Sequence, residues 1–398
     1  MLRGKRILLG VTGSIAAYKS AFLVREFVKA GADVQVVLTD AARSFVTPLT
    51  LGTLSKRPVL DNFVKEPLHA GVWNNHVELG LWSDLMIVAP ASANTLAKMA
   101  HGEADNLLLT TYLSAKCPVY FAPAMDLDMH AHGANQDNIS ILEKRGNIHI
   151  PSGSGELASG LEGQGRMAEP HEIREFIEAD LTSKAPLSGK KVLITAGPTQ
   201  EPIDPVRYIG NRSTGKMGYA VAEAASQMGA KVTLVSGPTS LSVSDSIELI
   251  KVKTAQEMYE ATLPHFDSAD VAILSAAVAD YRPKSAADQK IKKSSGSLDI
   301  ELEPTPDILK SLGEQKENQV LVGFALETQD GLANAQAKLK RKNCDLIVLN
   351  TLQDENAGFG FDTNKVTFVS RNNSIETELK SKQEIAHDLL NYIREHFL

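Results

Sequence analysis

Two segments of the chain share one order: a short apolar strand, a glycine-containing turn and an amphipathic helix. The first segment starts with a strand at residues 6–11, and the second with a strand at residues 190–198. A further apolar strand follows each helix, at residues 34–39 and 232–235. Strands that alternate with helices are typical of parallel, doubly wound sheets. The sequence therefore predicts an α/β protein with two Rossmann-like parallel-sheet domains in series.

The segment between these two halves is polar and contains one proline and one glycine. Such a composition favours an exposed connection. We predict a first domain at residues 1–180, a linker at 181–189 and a second domain at 190–398. The first helix is expected over residues 15–30, where the apolar spacing predicts one buried face. That face would comprise Ala17, Phe22, Leu23, Phe27 and Val28.

Composition excludes several classes of function. The net charge of −7 argues against binding to nucleic acids or anionic membranes, since both repel a general negative field. No apolar run reaches the ~20 residues that a membrane-spanning helix needs. Cys117 and Cys344 each lie beside an apolar run and are expected to be small buried thiols, as in a reducing cytoplasm.

Small and hydroxyl-bearing residues follow two strands of the first domain. Residues 10–14 read Gly-Val-Thr-Gly-Ser, and residues 91–95 read Ala-Ser-Ala-Asn-Thr. The first motif lacks the full dinucleotide fingerprint, and alone it also fits a simple tight turn. Both loops would lie at the carboxyl ends of parallel strands, where α/β sheets bind ligands and helix starts bind phosphate. Together they favour a phosphate-bearing cofactor.

The second domain contains a segment that a motif search would take for a P-loop. Residues 210–216 fit Gly-Xaa4-Gly-Lys. However, Met217 stands where a serine or threonine should bind Mg²⁺, and the segment does not come straight from a strand. We therefore reject a P-loop here.

Five segments carry a specific resemblance to a known family. They read GSIAAYK at 13–19, HVELG at 76–80, APASANT at 89–95, PAM at 123–125 and DPVRYIGNRSTGKMG at 204–218. The first four resemble the homo-oligomeric flavin-containing cysteine decarboxylases. The fifth resembles the ligase signature of the bacterial bifunctional phosphopantothenoylcysteine decarboxylase/phosphopantothenate–cysteine ligases. The resemblance covers essentially the whole chain.

For the first domain, the resemblance implies a tightly bound FMN and a trimeric decarboxylase. Enzymes of this family oxidise the cysteine moiety of the substrate to a thioaldehyde, which loses CO₂ to form an enethiolate. The flavin takes up the electrons in the oxidation and returns them to the enethiolate at the end. His76, expected on a loop, would be the acid or base near the cysteine moiety. The residues implied to hold FMN are Gly13, Ser14, Thr39, Ser92, Asn94, Thr95 and Met125.

Two positions depart from the family pattern. Asp126 replaces the asparagine that grips the substrate carboxylate, so it is either protonated or contacts another group. Ser159 replaces the flap cysteine, and a hydroxyl is a far poorer proton donor than a thiol. Glu156, Asp126 or Glu162 could supply the proton instead, and we favour Glu156.

Three alternatives to the full decarboxylation remain open. The domain could stop at the oxidised enethiol, or it could be a non-catalytic FMN-binding regulatory module. It could also be a flavin prenyltransferase. The ligase-like second half counts against the last two interpretations, and His76 also counts against the regulatory module.

For the second domain, the resemblance implies ligation of 4′-phosphopantothenate to cysteine, driven by CTP with Mg²⁺. ATP is not excluded by these residues, and no metal ligands are identified. Asn211 would stabilise the acyl-cytidylate intermediate, with Arg207 nearby. The residues implied at the nucleotide are Ser275, Ala276, Asp280, Lys290, Phe324, Lys338 and Lys342.

The two reactions would follow one another. The ligase would release CMP and pyrophosphate, and the decarboxylase would convert phosphopantothenoylcysteine to 4′-phosphopantetheine. The resemblance also implies a homo-oligomer in which ligase dimers join decarboxylase trimers into a dodecamer. We expect this enzyme in the cytoplasm.

Overall fold

The structure is a computed structural model that describes residues 1–64, 73–156, 160, 162–292, 298–351 and 360–398. Ser159 lies outside the described residues. The chain forms two compact units, Met1–Leu181 and Thr182–Leu398. Each unit has its own sheet, its own helices and its own hydrophobic cores. The predicted α/β class with parallel sheets is confirmed.

The first unit contains a five-stranded sheet with the order β2-β1-β3-β4-β5, in which all neighbours are parallel. Because β1 lies between β2 and β3, the strand order reverses there and opens a crevice at the carboxyl ends. An antiparallel hairpin, β6–β7, follows the sheet. The strands are β1 Arg6–Val11, β2 Asp33–Leu38, β3 Leu85–Ala91, β4 Val119–Pro123, β5 Ile148–His149, β6 Gly153–Glu156 and β7 Glu162–Arg166.

Helices cover both faces of this sheet. Leu23 and Phe27 belong to the core on one face, and Leu96 and Leu108 belong to the core on the other. The helices are α1 Lys19–Lys29, α2 Pro48–Ser55, α3 His76–Trp82, α4 Ala93–His101, α5 Leu107–Ser114, α6 Leu127–Ala131, α7 Gly133–Lys144 and α8 Pro170–Ser183.

The helix predicted over residues 15–30 has two parts, a 3-10 turn at Ile15–Tyr18 followed by α1. Leu23 and Phe27 are buried as expected, but the prediction for Phe22 is wrong because its side chain is 61% exposed. Successive residues of an α-helix are rotated by about 100°. The buried face of α1 is centred on Leu23, Val24 and Phe27, which turns Phe22 towards solvent.

The second unit contains an eight-stranded sheet with the order β12-β11-β8-β13-β16-β17-β19-β20. Its first six strands are parallel, while β19 and β20 form an antiparallel edge that the sequence did not predict. The strands are β8 Lys191–Ala196, β11 Lys231–Ser236, β12 Ile247–Lys251, β13 Val271–Leu274, β16 Val320–Glu327, β17 Leu346–Thr351, β19 Val366–Ser370 and β20 Ser374–Glu376.

Three short antiparallel pairs flank this sheet. They are β9 Gln200–Pro202 with β10 Tyr208–Gly210, β14 Tyr281–Pro283 with β15 Leu302–Pro304, and β18 Thr363–Asn364 with β21 Lys380–Ser381.

Helices again cover both faces of the sheet. α9 and α13 pack on one face, and α10, α11 and α12 pack on the other. The helices are α9 Lys216–Gln227, α10 Ala255–Phe266, α11 Ile308–Gln315, α12 Gly331–Arg341 and α13 Lys382–Phe397. None of the helices in the described part of the chain has the length and apolar character needed to cross a bilayer.

Candidate active sites

A cavity of about 510 Å³ lies in the first unit, where the chain leaves β1 and β4. Its lining includes Ser14, Met125, Asp126 and Glu156, all of which the sequence predicted as site residues. Ser14 follows β1, Met125 and Asp126 follow β4, and Glu156 ends β6. The fold thus brings the predicted phosphate-binding turn and two candidate acids to one cavity.

Hydroxyl groups join the loops at the carboxyl ends of β1 and β3. The Thr12 hydroxyl donates to Pro90 O at 2.7 Å and accepts the Ser92 N–H at 3.0 Å. Ser92 is the N-cap of α4, and its Oγ donates to Thr95 Oγ1 at 3.2 Å. The predicted residues Ser92, Asn94 and Thr95 therefore lie at one helix start, where N–H groups favour negatively charged groups.

The remaining predicted flavin residues lie at the neighbouring strand ends. Thr39 follows β2, and its N–H donates to Val11 O at 3.1 Å. Gly13 lies between Thr12 and Ser14, so close to Ala41 that an added Cβ would be 2.5 Å from the Ala41 Cβ. Hydroxyl and amide donors at adjacent strand ends suit a phosphate-bearing group. This donor set fits a flavin mononucleotide.

Asp126 caps a helix. Its Oδ1 accepts the Leu127 N–H at 2.6 Å at the start of α6. Met125 N–H, next to it, donates to Gly165 O of β7 at 3.1 Å. One carboxylate oxygen of Asp126 is occupied by the backbone.

Sequence reasoning missed an ion pair between a buried lysine and a partly exposed glutamate beside this cavity. Lys19, which is 4% exposed and lines the cavity, donates to Met167 O and to Glu169 Oε1, both at 2.8 Å. The same Glu169 oxygen accepts Arg166 Nη2 at 2.8 Å. The hydrogen bond from Lys19 is the main cause that lowers the pKa of Glu169. Lys19 lies in the GSIAAYK motif, but no local signal in the sequence points to its distant partners.

His76 is the first residue of α3, so its predicted place on a loop is wrong. Asn75 caps this helix by accepting the N–H groups of Val77 and Glu78. The ring of Trp73 packs edge-on at 5.7 Å between centroids. The buried Nδ1 of His76 has no hydrogen-bond partner among the described residues. His76 is not among the described residues that line the 510 Å³ cavity.

The second unit contains a larger cavity, of about 800 Å³, at the carboxyl ends of its parallel strands. Helices on both faces of the sheet contribute to its lining, α9 and α13 from one face and α11 and α12 from the other. The predicted residues that line this cavity are Asn211, Ser275, Ala276, Asp280, Phe324, Lys338 and Lys342.

The amide of Asn211 is fixed by the loop that follows β13. Its Nδ2 donates to Ala277 O at 3.1 Å and to Val278 O at 3.0 Å. Both amide hydrogens are therefore used within the chain, and the loop from Ser275 to Asp280 is held against Asn211. The same loop is supported by Thr199, whose Oγ1 accepts the Ala279 N–H at 3.0 Å.

Lys338 and Lys342 approach the cavity from α12. Lys338 Nζ donates to Phe324 O at 2.8 Å, and burial lowers the pKa of Lys338. Lys342 follows the last residue of α12 and pairs with Asp307. Burial would raise the pKa of Asp307, but hydrogen bonds from Lys342 and the Lys310 N–H outweigh burial and lower it.

A glycine lets α11 lie directly on the end of α12. A Cβ at Gly313 would be 2.0 Å from Lys342 O. The position of Lys342 therefore depends on a residue that does not line the cavity.

Two further lysines line this cavity and were not predicted as site residues. Lys216 begins α9, and its Nζ lies 2.7 Å from Asp362 Oδ1. Lys382 begins α13, is 7% exposed, and donates to Phe361 O. Lys216 belongs to the segment from which the P-loop interpretation was rejected. Its pairing with a carboxylate could be seen only in three dimensions.

Arg207 and Lys290 are not among the described residues that line this cavity. Arg207 pairs with Asp204, its Nη2 lying 2.5 Å from Asp204 Oδ2. Lys290 is exposed and directly precedes Ile291, whose carbonyl accepts Arg207 Nη2 at 3.0 Å. No cluster of three or more metal-binding side chains occurs in the described ranges.

Two protein-family models match the chain. The model described as "Flavoprotein" matches residues 1–182, and the model "DNA/pantothenate metabolism flavoprotein C-terminal domain" matches residues 187–397.

Similar proteins extend this match over the full chain. The coenzyme A biosynthesis bifunctional protein CoaBC of Bacillus subtilis (strain 168) is 48% identical over 398 residues, covering 99% of this chain and 97% of that protein. The chain belongs to this family of bifunctional coenzyme A biosynthesis proteins. The Escherichia coli (strain K12) member is 41% identical over 396 residues, covering 98% of this chain and 97% of that protein.

The chain is also similar to a decarboxylase whose name refers to a different substrate. A cysteine/cysteine sulfinic acid decarboxylase from an unknown prokaryotic organism is 57% identical over 356 residues, covering 87% of this chain and 98% of that protein.

Family membership confirms the main functional predictions. The chain is a coenzyme A biosynthesis enzyme with phosphopantothenoylcysteine decarboxylase and phosphopantothenate–cysteine ligase activities. It is a flavoprotein, and the flavin predicted for this decarboxylase family is FMN. The match of residues 187–397 covers the ligase part that a flavin prenyltransferase lacks.

Proposed function

We propose that ligation takes place in the 800 Å³ cavity of the domain at residues 190–398, and decarboxylation in the 510 Å³ cavity of the domain at 1–180. The observation that supports this most directly is the convergence of Asn211 with six of the seven predicted nucleotide residues on one cavity. Phe324 offers its ring to the base, and Lys338 and Lys342 offer positive charge to phosphates.

In the ligase reaction, the carboxylate of 4′-phosphopantothenate attacks the α-phosphorus of CTP, and pyrophosphate leaves. The cysteine amine then attacks the acyl carbon, CMP leaves with the bonding electron pair, and the new amide loses a proton. Because the Asn211 amide hydrogens are bound to Ala277 O and Val278 O, we assign Asn211 to shaping the loop where the acyl-cytidylate forms. CTP with Mg²⁺ is the proposed nucleotide, and comparing kcat/KM for CTP and ATP tests this choice.

The test of the ligase site is Asn211→Ala in the full chain. We expect pyrophosphate release to fall by about 100-fold, because the loop around the reacting groups would lose the two hydrogen bonds that fix it, and small misplacements of reacting groups cost this much. CO₂ release from supplied phosphopantothenoylcysteine should be unchanged, since that reaction uses the other cavity. A variant that ligates at the wild-type rate would contradict the assignment.

In the decarboxylase, bound FMN supplies the two-electron oxidation that makes the cysteine moiety lose CO₂. The chain must bind the substrate, exclude water and return a proton. Glu156 lines the cavity, whereas one oxygen of Asp126 is occupied by the Leu127 N–H. We therefore assign the final proton to the Glu156 carboxyl and the helix cap to Asp126. His76 remains the proposed acid or base at the cysteine moiety.

The hairpin itself offers a matched control for Glu156. Glu156 and Glu162 are direct partners in the β6–β7 pair, but Glu162 is not among the described residues that line the cavity. With Glu156→Gln, mass spectrometry should detect a product two hydrogens short of 4′-phosphopantetheine, while Glu162→Gln should give the normal product. Normal product from Glu156→Gln would overturn this assignment. The same oxidised product from the wild type would support the alternative that the domain stops at the enethiol.

A second candidate substrate is free cysteine, which appears in the name of the relative that is 57% identical. A free amino acid carries an ammonium group that the amide of phosphopantothenoylcysteine lacks. Asp126 and Glu156 present two carboxyl groups to the cavity, which suits such an ammonium. Asp126→Asn should lower CO₂ release from cysteine more than from phosphopantothenoylcysteine. Equal effects on both substrates would argue against this activity.

We also propose the dodecamer of decarboxylase trimers and ligase dimers, and a cytoplasmic location. Exposed apolar side chains in each unit support self-association, among them Ile15, Tyr18 and Phe22 in the first and Tyr208 and Tyr281 in the second. Mass photometry of the full chain tests the stoichiometry, and cell fractionation tests the location.

A further inference from the structure

The tip of the β9–β10 hairpin is built around one buried carboxylate. Asp204 is 3% exposed. Its Oδ1 accepts the N–H groups of Val206 and Arg207, each at 2.8 Å. Its Oδ2 accepts Arg207 Nε at 3.0 Å and the Ile291 N–H at 3.2 Å. Asp204 therefore binds both its own turn and a segment 87 residues further along the chain.

That distant segment is held by three hydrogen bonds. Besides the bond from Ile291 N–H to Asp204, the Ile291 carbonyl accepts Arg207 Nη2 at 3.0 Å. Ala287 N–H donates to Ile203 O at 2.9 Å. Both backbone polar groups of Ile291 are thus bound to the turn, and Lys290 directly precedes this fixed residue.

The other end of the hairpin reaches the ligase cavity. β10 runs directly into Asn211, whose amide holds Ala277 O and Val278 O. Thr199, which precedes β9, donates its N–H to Ala277 O at 3.3 Å. The hairpin therefore connects the loop after β13 with the segment that carries Lys290.

The burial of the two paired side chains, Asp204 and Arg207, shows that this connection depends mainly on Asp204. The Asp204 side chain is fully buried, whereas the Arg207 side chain is 43% exposed. A buried carboxylate must be neutralised by its hydrogen-bond donors. The hydrogen bond from Arg207 is the main cause that holds the pKa of Asp204 far below its usual range. The buried Asp204 carboxylate is therefore the group on which both the turn and the Ile291 segment depend.

We infer that Asp204 is a positioning residue: through its hydrogen bond to Ile291 it fixes the backbone from which the exposed Lys290 side chain reaches the nucleotide. This inference rests on the nucleotide-binding role that the family resemblance implies for Lys290. Asp204 itself is not among the described residues that line the 800 Å³ cavity. Its effect on the reaction is therefore expected to pass through Lys290.

A double-mutant cycle tests this pathway in the full-length enzyme, with pyrophosphate release as the assay. Asp204→Asn should raise the KM for CTP about tenfold, the scale seen when a residue that orients a ligand-binding group is changed. Its kcat should change much less. In a Lys290→Gln background, Asp204→Asn should have no further effect on KM. Additive effects would overturn the inference, because Asp204 would then act independently of Lys290.

Trypsin cleavage after Lys290, followed by mass spectrometry, tests the anchor without any activity assay. Freed from Asp204, the segment should be cut about tenfold faster in Asp204→Asn, with cleavage elsewhere unchanged. Arg207→Lys should show a smaller increase, since it keeps the charge but cannot make both hydrogen bonds that Nε and Nη2 of Arg207 donate to Asp204 Oδ2. Glu303→Gln, which removes the half-exposed Arg282–Glu303 pair, is the control and should be cut at the same rate as the wild type.

The two possible failures are distinguishable. Wild-type cleavage at Lys290 in Asp204→Asn overturns the anchor itself. A wild-type KM for Lys290→Gln overturns the nucleotide role of Lys290, and with it the function of the anchor, whatever the cleavage result.

Discussion

The Lys19 ammonium lies 2.8 Å from Glu169 Oε1, although 150 residues separate the two in sequence. Because Glu169 also accepts Arg166 at the end of β7, this carboxylate joins the base of the β6–β7 hairpin to the start of α1. The hairpin carries Glu156 into the decarboxylase cavity. The Lys19–Glu169 ion pair therefore stabilises the hairpin that carries the candidate acid Glu156, without contacting Glu156 itself.

Glu169→Gln should destabilise the first unit. We expect a loss of about 1 kcal/mol at pH 7, because Glu169 is partly exposed and solvent weakens the pair. The pKa of Glu169 is lowered in the folded state, so its contribution is present above the unfolded pKa and is lost as pH falls through the folded value. The difference between wild type and variant should therefore vanish in acid. Urea unfolding followed by flavin fluorescence measures it in the first unit.

The control for this variant is Glu175→Gln on α8, which removes the exposed Arg174–Glu175 pair. It should cost no more than a few tenths of a kcal/mol. Equal losses for the two variants would show that the Lys19 pair has no special contribution.

Lys338→Met should weaken nucleotide binding. The loss of a partly buried positive charge is expected to raise the Kd for CTP about tenfold at pH 7.5. Because burial lowers the pKa of Lys338, wild-type affinity should fall with rising pH before the ordinary lysine range near ~10.4 is reached. This step should be absent in the variant. Lys340→Met, on the exposed side of the same helix, is the control for calorimetric titration.

The two cysteines should react with thiol reagents at very different rates. Burial raises the pKa of Cys344 to about 12, whereas Cys117 is only half-buried, with its Sγ 3.4 Å from Ser83 Oγ. The thiolate is the reactive form, so Cys344 should stay unmodified by iodoacetamide in the native enzyme. Cys117 should react first, and Cys344 only after denaturation. Peptide mass spectrometry identifies the modified residue, and early modification of Cys344 would show that its pocket opens readily.

Gly313→Ala should disturb the ligase unit from outside its cavity. The new Cβ would collide with Lys342 O, and overpacking of this kind costs about 1–3 kcal/mol. Since Lys342 must move, the KM for CTP should rise as well. Gly133→Ala in the first unit, where a Cβ meets nothing within 4 Å, should leave both quantities unchanged. Normal stability and KM in Gly313→Ala would mean that α11 shifts without cost.

The parts of the site that follow strand ends could be predicted from the sequence. Ser14 and Asp280 come after the apolar parallel strands β1 and β13, and parallel strands place their carboxyl ends at one edge of a sheet. Asn211 follows the antiparallel strand β10 and was identified through the family resemblance. Local periodicity also identified the buried Leu23 and Phe27. It failed for Phe22, because the buried face of α1 is centred on Leu23, Val24 and Phe27, which leaves Phe22 exposed.

Residues that depend on distant partners could not be predicted. Nothing near Lys19 in sequence indicates Glu169, and nothing near Asp204 indicates Ile291. His76 was expected on a loop because two asparagines precede it, yet the second of these is the helix cap. Single-sequence patterns report local conformation, whereas these contacts arise from the tertiary fold.

All the described residues that line the 510 Å³ cavity belong to the first unit, and all those that line the 800 Å³ cavity belong to the second. A defect in one cavity should therefore leave the other reaction intact in the same molecule. Two inactive alleles, one carrying Asn211→Ala and the other a defective decarboxylase, should restore growth when a cell expresses both. Recessive lesions in this gene should accordingly fall into two complementation groups that divide near residue 182.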